Sequence, residues 1–319
     1  MRVIKTQMGL GEWSSLLGLA FLWGISFFVI AVAVTELEPL TIVALRVAIA
    51  AMVLWVAVVV MGHRLPAKLS IWFAFAIMGL LNNIIPFSLI VWGQQTISGG
   101  LASILNATTP MFTVLVAGLL LSDEKLTTRK IIGTLTGFCG VAIMMGPESL
   151  RGLTSDTLAK LAVMGAALSY AFAGVWGRRF RQLDISTTVI ACGQLSMSTL
   201  VMVPAAFFVS LSQADNQSLT ITTLNQASVS AWVAVLVLAV FCTAFAYLLY
   251  FKILSSSGAV NLSFVTLLIP VTAVLLGALF LGEQFGWSHF FGMLLIAIGL
   301  SIVDGRLWSK FAANKKHLS

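Results

Sequence analysis

The sequence predicts an all-α integral membrane protein with ten transmembrane helices arranged as two inverted five-helix repeats. Three observations predict it. Apolar runs of about twenty residues recur along the chain, the length a helix needs to cross the hydrocarbon core. Lys and Arg are concentrated on alternate connections. Two distant stretches share one pattern of serine, proline, glutamate and glycine.

Of the 319 residues, 59% are hydrophobic types and 9% are charged. A soluble domain carries roughly a quarter charged residues. Lipid must therefore be the solvent for most of the surface. Lipid admits only helices or closed barrels, because every backbone polar group needs an internal partner. Barrel strands would alternate polar and apolar residues, whereas these runs are unbroken. The spans fall at 13–34, 39–61, 71–92, 97–121, 130–146, 157–177, 186–210, 230–253, 258–281 and 287–304. The first span follows Arg2 and Lys5 and contains Ala31-Val32-Ala33, which resembles a signal-peptide cleavage site. Its apolar run is longer than the roughly 7–15 residues of a signal core, which argues for a retained helix.

With the N-terminus inside, the outside connections hold only Arg151 and Lys160 of the 18 basic residues, and Arg46 lies within a span. The other fifteen are inside, as the positive-inside rule requires of an even number of spans. Topology thus accounts for the net charge of +7, and no nucleic acid is expected as a partner. Both termini are expected in the cytoplasm, in the inner (plasma) membrane.

The repeat runs from Ser98 to Gly140 and again from Gly258 to Gly299. Ser103 matches Ser263, Pro110 matches Pro270, Glu124 matches Glu283, Gly133 matches Gly292 and Gly140 matches Gly299. Each block closes a five-span half, 13–146 or 157–304, with 305–319 a short basic cytoplasmic tail. Five is odd, so the halves insert with opposite orientation, a common plan of secondary transporters with the substrate site between the halves. Duplication without transport is the plainer alternative.

Other chemistries find no residues. There is no GxxxxGK[ST] phosphate loop. Cys139, Cys192 and Cys242 lie in different spans, and His63, His289 and His317 lie at loops or span ends. No metal, disulfide framework or cofactor is expected. None of the eleven acids sits mid-span, so a buried carboxylate relay has no candidate and transport should be exchange or facilitated efflux, or coupled without one. An embedded enzyme would need a Ser/His or paired-acid constellation that the spans lack. A sensor would ordinarily bring a soluble domain. Flux in liposomes separates a carrier from both.

Several residues stand out as candidates for the substrate site. Arg46 lies inside span two, roughly 10 Å from its outer end at 1.5 Å per residue. It is either a snorkelling structural residue or a clamp for a carboxylate or phosphate. Asn82 and Asn83 precede Pro86, which cannot donate to the Asn82 carbonyl, so a bend with an open acceptor is expected there. The alternative is an interhelical hydrogen bond. Asn106 precedes Pro110 and Asn261 precedes Pro270, which suggests symmetric bends facing a central cleft. Trp23, Tyr170, Trp176 and Tyr247 could form an aromatic wall, though span aromatics more often pack, and Gln194 is a further polar candidate. Gly165, Ser169, Ala173 and Gly177 form a small-residue stripe suited to close helix approach. Glu124 and Glu283 are either capping groups or a gate pair.

Trp23-Gly24, Pro39, Ala44-Leu45-Arg46, the LNATTPMFT run at 105–113, Asp123-Glu124, and Gly133, Gly137 and Gly140 stand in the first half. Ala167-Leu168-Ser169-Tyr170, Pro270, Gly282-Glu283 and Gly292 stand in the second. In their order and spacing the chain resembles the drug/metabolite transporter superfamily, in its EamA-type branch. The resemblance implies a ten-helix fold that exports or exchanges amino acids, sugars, nucleotide-linked metabolites or toxic amphiphiles. Arg46 departs from the symmetry, since Gly193-Gln194 stand near its equivalent place. The expectation is a secondary transporter of small organic metabolites, such as amino acids or related solutes. Its partners would be a small-molecule substrate and the lipid bilayer, with a homodimer allowed.

Overall fold

A computed structural model describes residues 9–124, 126–146, 154–183, 185–212, 226–250, 252–253 and 265–304. Those residues are helical throughout their regular structure, with no strand among them. The helical segments are α1 (Leu10–Ala33), α2 (Pro39–Val60), α3 (Leu69–Gly93), α4 (Gly99–Leu120) and α5 (Thr128–Met145). They continue with α6 (Ser155–Gly177), α7 (Thr187–Ser212), α8 (Val229–Tyr250), α9 (Val265–Phe280) and α10 (Trp287–Asp304). Seven of these (α1–α4 and α6–α8) are long and apolar enough to cross a membrane, and α9 and α10 are shorter apolar helices.

Local chemistry sets the boundaries. The side chains of Ser98, Thr127, Thr154 and Ser228 each accept from a backbone N–H three residues on, which satisfies one of the orphan donors at a helix start. Pro39 opens α2, where its missing N–H is not needed. Gly146 closes α5 with φ 72, a conformation that L side chains resist.

The surface is apolar where lipid would lie. Leu119, Phe208, Leu279 and Trp287 are among many large side chains left exposed. The core is built instead by helix pairing. α5 packs along α10, α2 along α7, α1 against α8 and α9, α3 against α6 and α7, and α4 against α6 and α9. The tightest seam joins α5 and α10. A Cβ on Gly133 would stand 2.6 Å from the Gly299 carbonyl oxygen, and one on Gly140 would stand 2.6 Å from that of Gly292. Small residues let two backbones touch, which is how helices associate where lipid is as apolar as leucine.

The two prolines expected to make matching bends differ. Residues 107 and 108 interrupt α4 as a turn after Asn106, and Pro110 sits in the first turn of the helix that resumes at Thr109. Pro270 lies inside α9, five residues past its first described residue. Asn261 and the expected start of the ninth span lie outside the described residues.

Candidate functional site

Two helices change their winding in the bundle interior. In α3, residues Leu80–Ile84 form a π turn, and the Ile85 N–H reaches back to the Leu80 carbonyl. Pro86 follows at once. Having no N–H, it cannot extend the α-type ladder to Asn82, and the register slips by one residue just ahead of it. Where the sequence reading expects a bend, the helix winds as a wide turn. The Leu81 carbonyl is taken up from α6 by the Ser169 hydroxyl at 2.7 Å. In α8 the π turn covers Val240–Phe245 and contains no proline. There the Thr243 hydroxyl donates to the Leu238 carbonyl, five residues back, at 2.8 Å. Single π turns recur at functional positions in helices.

The α3 turn meets Tyr247, two residues beyond the α8 turn, in one hydrogen-bonded cluster. Asn82 Nδ2 donates to Tyr247 Oη at 2.9 Å and to Gln194 Oε1 at 3.2 Å. Tyr247 Oη donates to Asn83 Oδ1 at 3.0 Å. Asn83 Nδ2 donates to Ser198 Oγ at 3.1 Å, and Ser198 donates in turn to the Gln194 carbonyl at 2.8 Å. Asn83 and Ser198 are fully buried and Gln194 is nearly so. α3, α7 and α8 therefore share one polar network.

Arg46 stands beside this network on α2, tied to the turn of α8. Its residue exposure is 6%. Nε donates to Thr243 Oγ1 at 2.9 Å, and the guanidinium carbon stands 3.5 Å above the centre of the Phe87 ring. Among the described residues no carboxylate pairs with it. A charge at the centre of a span costs at least about 2.5 kcal/mol. A hydrogen bond from a charged donor contributes about 1.5–3 kcal/mol, and a cation–π contact about 0.5–2 kcal/mol. The two contacts offset part of that penalty.

Of the residues singled out in the sequence, hydrogen bonds bring together Asn82, Asn83, Gln194 and Tyr247, with Arg46 held beside them by Thr243, while Tyr170 is partly buried against the apolar core. Trp23 packs on the Tyr250 ring at 5.8 Å between centroids. Trp176 donates to the Ala74 carbonyl at 3.1 Å and is covered by Arg179. Asn106 sits at the break in α4 with Oδ1 buried and without a hydrogen-bond partner among the described residues. Thr243, Ser198 and Phe87 were not legible in advance. Ser198 follows Gln194 by one turn, a polar i, i+4 pair in an apolar span that could have drawn notice.

Polar latches close both ends of the bundle. The Glu283 carboxylate accepts from Gly99 N–H at 2.9 Å and Gly100 N–H at 3.1 Å, so it caps the start of α4 from the opposite half of the chain. Nearby in topology, Glu36 accepts from the Ser228 hydroxyl at 2.6 Å and from its N–H at 2.7 Å, at the start of α8. At the other end Arg178 forks onto Asp123 with two bonds of 2.9 Å, and Glu124 pairs with Lys130 at 3.1 Å. Glu124 and Glu283, matched in the sequence repeat, thus make different contacts. A cleft of about 450 Å³ between α4, α9 and α10 is lined chiefly by Ile104, Phe285, Trp287 and Phe290 and is separate from the polar cluster.

The Ser228 hydroxyl and N–H hold Glu36 below the usual carboxylate range. Its contribution to stability is then complete above the unfolded value of about 4.3 and disappears as pH falls through the lowered folded value. A melting comparison checks this. Wild type should melt above Glu36→Gln at pH 7, and the gap should shrink progressively as the pH is lowered from the unfolded value through the lowered folded one. A gap that persists in acid would contradict the assignment.

The chain matches the EamA-like transporter family model over residues 13–146 and again over 157–303. It is 24% identical to the uncharacterized transporter YoaV of Bacillus subtilis (strain 168), over 93% of this chain and 96% of that protein. It is 25% identical to protein PecM of Dickeya dadantii (strain 3937), over 92% of each. It is also 25% identical to the uncharacterized inner membrane transporter YedA of Escherichia coli (strain K12), over 91% of this chain and 89% of that one. A solved crystal structure covers 91% of this chain and 97% of its own at a TM-score of 0.61 and 18% identity, a likeness of fold. Paired family matches along nearly the whole length, on a helical body with lipid-compatible surfaces, identify a multi-pass membrane protein that is a transporter and not an enzyme. The chain belongs to the EamA-like transporter family.

Proposed function

We propose that this protein is a secondary exporter or exchanger of small organic metabolites, such as amino acids or related solutes. It works by alternating access between two inverted five-helix halves, 13–146 and 157–304. All ten helices cross a prokaryotic inner membrane, and both termini are cytoplasmic. The observation that carries the reading is the polar cluster: Arg46, Asn82 and Asn83 come from the first half, and Gln194, Thr243 and Tyr247 from the second. A substrate held there would touch both halves and respond to their relative motion.

Helix pairing supports the inversion. If α1–α5 correspond to α6–α10, contact of α1 with α9 maps onto contact of α6 with α4. Contact of α3 with α6 maps onto α8 with α1, and α3 with α7 onto α8 with α2. All of these pairs occur. The Gly133–Gly299 contact maps likewise onto Gly292–Gly140. The π turns of α3 and α8 are counterparts in the same scheme.

In this reading the Glu283 and Glu36 latches lie at the outer face and hold it shut. Counterflow of labelled amino acids in proteoliposomes tests the carrier. Exchange should exceed that of empty liposomes, and no exchange across a broad panel of metabolites would sink it. The latch has its own test, in a background lacking Cys139, Cys192 and Cys242. A cysteine at the buried Ala102 should react with an impermeant outside maleimide several-fold faster when Glu283→Ala is added. An unchanged labelling rate would count against an outer gate.

A further inference from the structure

Three groups in the cluster have open valences. Among the described residues, Arg46 makes one hydrogen bond, through Nε, and no carboxylate pairs with it. A guanidinium carries five N–H donors, so the four on its two Nη atoms have no protein acceptor there. Gln194 Nε2 and Asn82 Oδ1 are likewise without a partner among the described residues, although Gln194 Oε1 and Asn82 Nδ2 are engaged with each other. Phe87 covers a face of the guanidinium, and the outer edge is what remains. That edge is the part of arginine that meets a planar carboxylate with two parallel bonds.

We propose that the substrate of this site is a small monocarboxylate, its carboxylate held by the two Nη atoms of Arg46 and its remaining polar group met by Gln194 and Asn82. This rests on the carrier reading above. The charge argues for one carboxylate in particular. Arg46 is the one charged side chain of the cluster among the described residues, so it compensates a single negative charge. A phosphomonoester, carrying nearly two, would leave one buried and unpaired. A cationic amphiphile would meet a like charge and no acid.

The test uses full-length protein in detergent and in proteoliposomes. The probes are L-phenylalanine and 4-methyl-2-oxopentanoate, their methyl esters, inorganic phosphate, and tetraphenylphosphonium as the organic cation. Wild type should gain thermal stability with one or both carboxylates and exchange them. Each ester should bind about tenfold or more weakly than its acid, the factor expected for a lost charged hydrogen bond. Arg46→Gln should lose the response to the acids and Arg46→Lys should keep part of it, with monodispersity checked for both. If the glutamine variant does not fold, the acid–ester comparison on wild type still decides. Esters equal to acids, acids inactive while phosphate or the cation is carried, or full response in Arg46→Gln would each overturn the carboxylate assignment and leave the carrier standing. No flux of any probe would count against both.

Discussion

Gly140→Leu is expected to abolish the folded protein, seen as loss of the monodisperse peak of a tagged chain on size exclusion. A Cβ at 140 stands 2.6 Å from the Gly292 carbonyl oxygen and 3.0 Å from the Leu295 Cβ, and the reciprocal Cβ at 292 stands 2.8 Å from the Gly140 oxygen. The obstacle is backbone, which cannot rotate aside as a side chain does. Overpacking a core usually costs about 1–3 kcal/mol, and a leucine driven between two touching backbones belongs at or beyond the top of that range. Gly299→Leu should do the same through the Gly133 oxygen. Gly18→Leu is the control, since a Cβ there meets nothing within 4 Å. A monodisperse, thermally normal Gly140→Leu would show that α5 and α10 do not pack through their glycines.

Tyr247→Phe is expected to leave the fold in place and reduce exchange about tenfold or more. The ring stays and a single hydroxyl is lost, so volume and packing barely change. That hydroxyl both accepts from Asn82 and donates to Asn83. Without it, the buried Asn83 Oδ1 loses a donor, and an unsatisfied buried acceptor costs about 1–3 kcal/mol. The amides would turn to find other partners, and the positions of Asn82 and Gln194 would be lost with them. The readouts are exchange rate in proteoliposomes beside melting temperature. Wild-type exchange in Tyr247→Phe would remove the network from the transport site.

Much of this was legible in the sequence because lipid makes strict demands. A helix must be long and apolar, so the described helix boundaries, the start of α9 apart, lie within about three residues of the expected ones, in line with the usual scatter of such ends. Polar side chains in an apolar span need a reason to be there, so Arg46, Asn82, Asn83 and Gln194 could be picked out one by one. What could not be read was who meets whom. Thr243 looks like an ordinary span residue until a register slip turns its hydroxyl toward Arg46. The partners of the span tryptophans were not legible either. Trp23 and Trp176 are large enough to reach packing partners on their own, Tyr250 in one case and the Ala74 carbonyl with Arg179 in the other. Glu283 was recognisable as a repeated residue, but its target is a pair of backbone N–H groups, and those carry no signature in the amino-acid alphabet.

A π turn holds one residue more than the helix around it needs. Each residue of an α-helix advances the chain by about 1.5 Å and turns it by roughly a hundred degrees. Deleting one residue from Leu80–Ile84 would heal the winding and shorten α3 by a length the bilayer would scarcely notice. The same deletion would swing everything beyond it by more than a quarter-turn. Phe87 would leave Arg46, or else Asn82 and Asn83 would leave Tyr247. Relatives that differ by one residue in this stretch should therefore keep the membrane topology and differ in what they carry.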